Sequence, residues 1–295
     1  MQLASAFYEN DFPWEEIKEE RLKEWEERPV TTIAPSTKDG NIWNRLFEER
    51  GGLVYKPRRY ILKAFPDLLR SLNDQEGVIN VLDLGCGAGA SLLPILFHRS
   101  KNLNVKATDI SKEALMLLSS SIQAKIREPS LTFEASTWDL TQPLQNTSLQ
   151  TFGDFAILIF TLSAIPPEKH LICLKNVVNC LKPGGSLLFR DYGWLPVLLY
   201  RFNSLLTIFS GAFDLVQVRC KKKIGAWTIQ KEDGVLCTFF TIPYLTSLFE
   251  QAGLAFIDPP RYCTIMNINR KSKQQMKRVF IHCVAIPLRI ADSNS

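Results

Sequence analysis

From residue 78 onward, short β-rich apolar runs alternate strictly with helical patterns, and no other feature of the chain constrains its fold as tightly. Val78–Leu84 is the first run and ends in Gly85-Cys86-Gly87-Ala88-Gly89, after which a helix runs to about His98. Val105–Thr108 is a second strand and ends in Asp109, and Ser111 then caps a helix reaching about Ile126. Leu131–Thr137 is a third strand. Phe155–Leu162 is continuously apolar, as expected of a strand buried in the middle of a parallel sheet. A helix over Glu168–Leu181, closed by Lys182-Pro183-Gly184-Gly185, leads to a fifth strand at Ser186–Phe189, and two more follow near 255–265 and 279–286. The pattern predicts an α/β, Rossmann-like domain with a seven-stranded, mostly parallel sheet flanked by helices.

The flanks read differently. Residues 12–27 are dense in Glu and Lys and suggest an exposed helix, followed by a linker over 29–40. A second helical piece spans Trp43–Arg50, stops at Gly51-Gly52, and gives way to the basic segment Tyr55-Lys56-Pro57-Arg58-Arg59-Tyr60 and a helix to about Leu72. The organisation expected is an acidic helical leader and linker at 1–40, an N-terminal extension at 41–77, and the α/β domain at 78–290. An insertion interrupts that domain at about 193–240, with a hairpin-like turn at Lys231-Glu232-Asp233-Gly234.

Composition removes several function classes. The seven cysteines include no CxxC pair, and His98, His170 and His282 are not at ligand spacing, so neither a metal site nor a disulfide framework is expected. The acidic N-terminus resembles neither a signal peptide nor a transit peptide, which points to a cytoplasmic location. The most apolar stretch, Trp194–Val218, is interrupted by Arg201 and Asp214 and reads as a core helix rather than a membrane span. Residues 1–40 hold five Lys/Arg against ten Asp/Glu, whereas the rest holds 30 against 20. A basic body of that kind suits a polyanionic partner.

The glycine loop lies where ligands bind in such sheets, beyond the carboxyl end of the first strand. Gly85, Gly87 and Ala90 also satisfy the dinucleotide fingerprint, and Asp109 could hold a ribose diol with either NAD or another nucleoside cofactor. Asp83-Leu84-Gly85-Cys86-Gly87-Ala88-Gly89, Trp138-Asp139-Leu140 and Leu181-Lys182-Pro183-Gly184-Gly185 together resemble the motifs of class I S-adenosylmethionine (SAM)-dependent methyltransferases. A dehydrogenase would also need an acid–base group, and no Tyr-x-x-x-Lys signature is present.

Further segments resemble one subfamily, the tRNA N3-methylcytidine methyltransferases: Ile157–Ile165 in the fourth strand, Asp139-Leu140-Thr141, Leu188-Phe189-Arg190-Asp191-Tyr192-Gly193, Phe239-Phe240-Thr241, Arg278-Val279-Phe280, and the spacing from Trp43 to Lys56 and Arg58. The likeness runs from about residue 40 to the end. It departs at Phe47, Pro57 and Pro166, where that subfamily commonly has Tyr, Asp and His, and most of all between Gly193 and Trp227. The resemblance implies SAM as cofactor, bound through Asp83, Gly85, Gly87, Gly89, Asp109, Asp139, Leu140 and Ile159, with Phe47 and Lys56 folding over it. It implies tRNA as substrate, methylated in the anticodon loop at position 32. It also implies RNA contacts from Lys56, Arg58, Arg190, Arg270 and Arg278, and in some relatives a tRNA-presenting protein such as an aminoacyl-tRNA synthetase. Asp191 and Arg190 are the expected catalytic pair: methylation at N3 makes the base cationic, and a carboxylate near its exocyclic amine would stabilise that charge. A methyltransferase acting on a small molecule or protein, or a non-catalytic partner subunit of the same fold, are the alternatives.

Overall fold

The computed structural model describes residues 11, 30, 39–51, 55–74, 77–98, 103–125, 131–193, 222–231, 233–268 and 275–288. The expected exposed helix at 12–27, the apolar stretch 194–218 and Arg270 lie outside the described residues.

Strands β1 (Ile79–Leu84), β2 (Leu103–Asp109), β3 (Leu131–Thr137), β4 (Gly153–Ile159) and β5 (Leu181–Tyr192) run parallel, and β9 (Leu254–Ile268) and β10 (Gln275–Pro287) complete a seven-stranded sheet in the order β3-β2-β1-β4-β5-β10-β9. β10 is antiparallel to both its neighbours. The chain returns to the middle of the sheet at β4, so β1 lies between β2 and β4. That reversal of winding direction leaves a crevice at the carboxyl ends of the strands.

Period-two alternation sorts the strand side chains into two buried layers. Leu82, Leu84, Ala156, Leu158, Leu187, Phe189, Ile281 and Cys283 face helices His170–Cys180 and Ile242–Gln251. Val81, Phe155, Ile157, Ile159, Leu188 and Val284 face the other layer, with Ile61, Phe65 and Leu68 from the N-terminal extension and Leu115 and Leu118 from helix Lys112–Lys125. The expected cap on that last helix is present, since Ser111 Oγ accepts from the Ala114 N–H at 3.1 Å.

Four elements depart from expectation. The helix after the glycine loop is only Leu92–Leu96. β5 begins at Leu181, before the Lys-Pro-Gly-Gly segment. That segment loops out between the register pairs Gly153–Leu181 and Phe155–Ser186 instead of preceding the strand. β4 ends at Ile159 and not at Leu162, because Phe160 adopts φ +57° and Leu162–Ala164 forms a 3₁₀ turn. The described part of the insertion is a small antiparallel sheet, β6 (Lys222–Lys223), β7 (Thr228–Gln230) and β8 (Leu236–Thr238), whose β7–β8 hairpin turns at the expected Lys231–Gly234. It returns to the main sheet where the Phe240 N–H donates to the Tyr192 carbonyl at 2.9 Å. Lys223 on β6 is buried, 6% exposed. Among the described residues no helix is long and apolar enough to cross a membrane.

Candidate active site

The carboxyl ends of β3, β2, β1 and β4 open into one cavity of about 910 Å³, measured to include its mouth. Each strand delivers the residues at its end to the wall: Trp138–Thr141 after β3, Asp109 closing β2 and Ile110 after it, Gly85–Ala88 after β1, and Phe160 and Thr161 after β4. Trp43 and Phe47 from helix Asp39–Arg50, with Tyr55 and Arg58 from the basic segment, line it from the N-terminal extension. Asn44 docks that helix, its Oδ1 accepting from Ser111 Oγ at 2.8 Å.

The glycine loop is shaped by its neighbours. Gly85 has φ +72°, and a β-carbon there would overlap the Thr161 side chain, whose hydroxyl donates to the carbonyls of Leu84 (3.2 Å) and Gly85 (3.3 Å). At Gly87 an added β-carbon would come within 3.3 Å of Phe47 Cζ, so this aromatic ring lies directly over the loop.

Asp109 fixes the loop from below. Its Oδ2 accepts the Gly87 N–H at 2.7 Å and its Oδ1 accepts the Ser111 N–H at 2.9 Å. Burial pushes its carboxyl upward in pKa, against the pull of those backbone donors. Asp139 Oδ1 accepts from both the backbone N–H (2.9 Å) and the hydroxyl (2.8 Å) of Thr141. Asn176 pins the same loop by donating to the carbonyls of Leu140 and Gln142 at 2.8 and 2.9 Å.

Of the residues read from the sequence as cofactor contacts, Phe47, Gly85, Gly87, Asp109, Asp139, Leu140 and Ile159 share this cavity. Asp83, Gly89 and Lys56 do not line it. Asp83 is buried beneath the loop, and burial raises its pKa to about 7 despite the nearby Arg58. Gly89 faces helix packing, where a β-carbon would meet Leu118 Cδ1 at 2.6 Å. Lys56 is exposed between the lining residues Tyr55 and Arg58.

The pair expected to act on the substrate is placed differently. Arg190 is 1% exposed, with its guanidinium over the rings of Phe280 (4.9 Å) and Tyr60 (5.2 Å) and hydrogen-bonded to the Cys263 thiol. A guanidinium enclosed in this way is not available to an RNA phosphate, which corrects the phosphate contact expected of it. Asp191 is fully buried and outside the cavity wall. Its Oδ2 accepts the Ser163 N–H at 3.0 Å and its Oδ1 accepts the Tyr192 N–H at 2.8 Å, while burial raises its pKa to about 6. It therefore anchors the 3₁₀ turn that follows Thr161. Arg58, expected at a phosphate, lies in the cavity wall, bonded to Ser91 Oγ at 2.6 Å and stacked 4.9 Å from the Phe160 ring. Arg278 is half-buried on β10. Trp43, Tyr55, Cys86, Ile110, Trp138, Phe160, Thr161 and Ala164–Pro166 also line the cavity; most of them fall in motifs read from the sequence, but none was assigned a contact there. Cys86, Ile110, Trp138, Phe160 and Thr161 directly follow a strand's carboxyl end, which is the signal that would have found them.

Residues 53–258 match the methyltransferase-domain family. Among curated proteins, the tRNA N(3)-cytidine methyltransferase METTL6 of Mus musculus is 30% identical over 245 residues, which cover 81% of this chain and 77% of that protein. The chain belongs to this family. The tRNA N(3)-methylcytidine methyltransferase trm140 of Schizosaccharomyces pombe is 31% identical over 70% of this chain. The tRNA(Thr) (cytosine(32)-N(3))-methyltransferase of Saccharomyces cerevisiae is 27% identical over 90%. The chain spans only 59% and 40% of the lengths of these two fungal relatives. In fold it matches a SAM-dependent methyltransferase from Anabaena variabilis with a TM-score of 0.55 at 15% identity, covering 88% of this chain and all of that one.

The cofactor that this family and fold imply is S-adenosylmethionine, and the residues present fit it. Two carboxylates and an open glycine backbone lie side by side at the ends of adjacent parallel strands, a donor and acceptor set suited to a nucleoside diol, an adenine amine and a cationic sulfonium.

Proposed function

We propose that the protein transfers the methyl group of S-adenosylmethionine to N3 of a cytidine in tRNA. The observation that carries this reading is the single cavity that joins Asp139, Asp109 and the glycine loop to the aromatic and cationic wall formed by Phe160, Arg58 and Tyr55. When bound, the cofactor supplies an electrophilic methyl on a sulfonium. Asp109 accepts from the ribose hydroxyls while holding Gly87 in place. Asp139 accepts from the adenine amine, and Leu140 and Ile159 pack against the nucleoside. Phe47 closes over the glycine loop, and the extension at 41–77 acts as a cover that excludes water from the methyl-transfer path.

N3 of cytosine carries an in-plane lone pair, so no general base is required, and catalysis rests on orientation and electrostatics. N3 also lies on the Watson–Crick edge. The target must therefore be unpaired or flipped, as in an anticodon loop. The name of the budding-yeast relative points to position 32 of that loop. Lys56 and Arg278 remain suited to phosphate contacts, and a tRNA-presenting protein such as a synthetase is a compatible partner.

The test is incubation with SAM and unmodified total tRNA, followed by nucleoside mass spectrometry. A rise in 3-methylcytidine is expected. A different methylated nucleoside would overturn the choice of acceptor atom, and binding of SAM without any RNA product would overturn tRNA as the substrate.

A further inference from the structure

The sheet order separates two chemistries along the cavity. On the β3-β2-β1 side stand Asp139 and Asp109, the only acidic ones among the described residues that line it. On the β4 side the wall carries the Phe160 ring, Thr161 and Ala164–Pro166, with the Arg58 guanidinium and the Tyr55 ring added from the N-terminal extension and, among the described residues, no carboxylate. Phe160 stands at the border. Its φ of +57° is a left-handed conformation that an L-residue adopts only where its surroundings impose it. Had β4 simply continued, alternation would have put residue 160 on the same face as Ala156 and Leu158. The left-handed turn instead carries the ring to the opposite layer, with Ile157 and Ile159, and into the cavity wall. The Phe160 N–H donates to the Arg190 carbonyl at 2.9 Å, which fixes the turn to β5. Behind the ring, Tyr192 stands 4.9 Å away and Phe280 meets it edge-on at 5.3 Å. Over it lies the Arg58 guanidinium, held by Ser91 Oγ and, through its backbone N–H, by the Ala90 carbonyl at 2.7 Å. Tyr55, with its ring 5.9 Å from the same guanidinium, is 41% exposed at this wall.

Planar aromatic and guanidinium faces are what an unstacked nucleobase binds against, whereas carboxylates are what a ribose and an amine need. We propose that Phe160, with the Arg58 guanidinium stacked on it, is the platform that receives the acceptor nucleobase and sets its ring plane relative to the cofactor. This rests on the reading that the acceptor is a tRNA nucleobase. It makes Phe160 a substrate-binding residue and Arg58 both a stacking partner and the group that keeps the ring oriented.

Two variants test it. Phe160→Leu keeps an apolar side chain of similar bulk but removes the ring; Phe160→Tyr keeps the ring. The readouts are SAM affinity by calorimetry and kcat/KM for methylation of unmodified total tRNA. Loss of one base–aromatic stack should lower kcat/KM by roughly 10- to 100-fold in Phe160→Leu, with SAM affinity unchanged. Phe160→Tyr should restore most of the rate. If the wild type forms 3-methylcytidine and Phe160→Leu does so equally well, the platform is refuted while the reaction stands. The platform is likewise refuted if Phe160→Leu loses SAM binding in step with activity, or if Tyr fails to rescue, since the ring would then be structural. A wild type that binds SAM but modifies no tRNA nucleoside overturns the reaction and the platform together.

Discussion

Replacing Gly85 by alanine perturbs the point where the glycine loop and the β4 loop touch. Two separate costs follow from the structure. The left-handed φ of +72° costs an L-residue about 1–2 kcal/mol. The new methyl would also overlap Thr161 Cγ2 and lie 2.6 Å from its Oγ1 and 3.0 Å from its Cβ. Thr161 cannot swing away freely, because its hydroxyl is bonded to the carbonyls of Leu84 and Gly85 and its branched side chain has few rotamers. Overpacking of this kind adds about 1–3 kcal/mol. Gly184 provides the internal control: its φ is +80°, but an added β-carbon meets nothing within 4 Å. Gly184→Ala should therefore cost only the conformational part, and Gly85→Ala should exceed it by about 1–3 kcal/mol in urea unfolding followed by circular dichroism. Introducing Thr161→Ser removes Cγ2 and should close at least about 1 kcal/mol of that gap. Equal costs at the two glycines, or a gap indifferent to Thr161→Ser, would refute the argument that Gly85 is required by the approach of Thr161.

Three further outcomes are expected. Asp109→Asn leaves one acceptor oxygen where two backbone N–H groups now bond, so SAM affinity measured by calorimetry should fall about 10- to 100-fold; an unchanged affinity would remove Asp109 from the cofactor site. Asp83 has a folded pKa raised by burial to about 7, far above its ordinary value, so it holds its proton more tightly when folded. Its contribution to stability is therefore complete below about pH 4 and is lost as the pH rises through about 7, on the order of 2–4 kcal/mol. Urea midpoints across that window should fall less steeply in Asp83→Asn than in the wild type, and parallel curves would contradict the assignment. Asn44→Ala removes the acceptor for Ser111 Oγ that docks the N-terminal helix, which should weaken SAM binding several-fold at a stability cost of about 1 kcal/mol; unchanged binding would show that the helix holds its place over the loop without this bond.

The sequence made the scaffold legible because burial leaves a period. The apolar runs at β1, β2, β3 and β4 and the caps between them can be read residue by residue, and Asp109 and Asp139 stand out as charged groups directly after such runs. Contacts made across the fold leave no such trace. Phe160 continues an apolar run in the sequence, yet its left-handed backbone ends the strand and turns its ring to the other layer, a choice imposed by the Arg190 carbonyl and the Arg58 guanidinium from distant segments. Arg190 reads as a cation available to an RNA phosphate, and it is buried. For Arg190 the reason is that β10 and the N-terminal extension bring Phe280 and Tyr60 against it, which lets an aromatic environment take the place of solvent around the guanidinium. Arg58 reads as one member of a basic run, but the Ala90 carbonyl and Ser91 draw it inward while Lys56 stays exposed.

The reversal of the sheet at β1 then accounts for how one cavity can hold two different partners. Strands to one side of β1 end in carboxylates that are themselves tied to backbone N–H groups, so their positions are set before any ligand arrives. Strands to the other side end in Phe160, Asp191 and Tyr192, where the carboxylate is turned inward to hold a 3₁₀ turn and the rings face one another. Perturbations should divide along the same line. Changes at Asp109 or Asp139 should act on cofactor affinity, and changes at Phe160 or Arg58 on the acceptor alone. Asp191→Asn, acting through the Ser163 turn that both sides share, should disturb cofactor affinity and transfer rate together. An Asp191→Asn variant that bound SAM normally and lost only the rate would instead return Asp191 to the acceptor, against the inward orientation of its two oxygens.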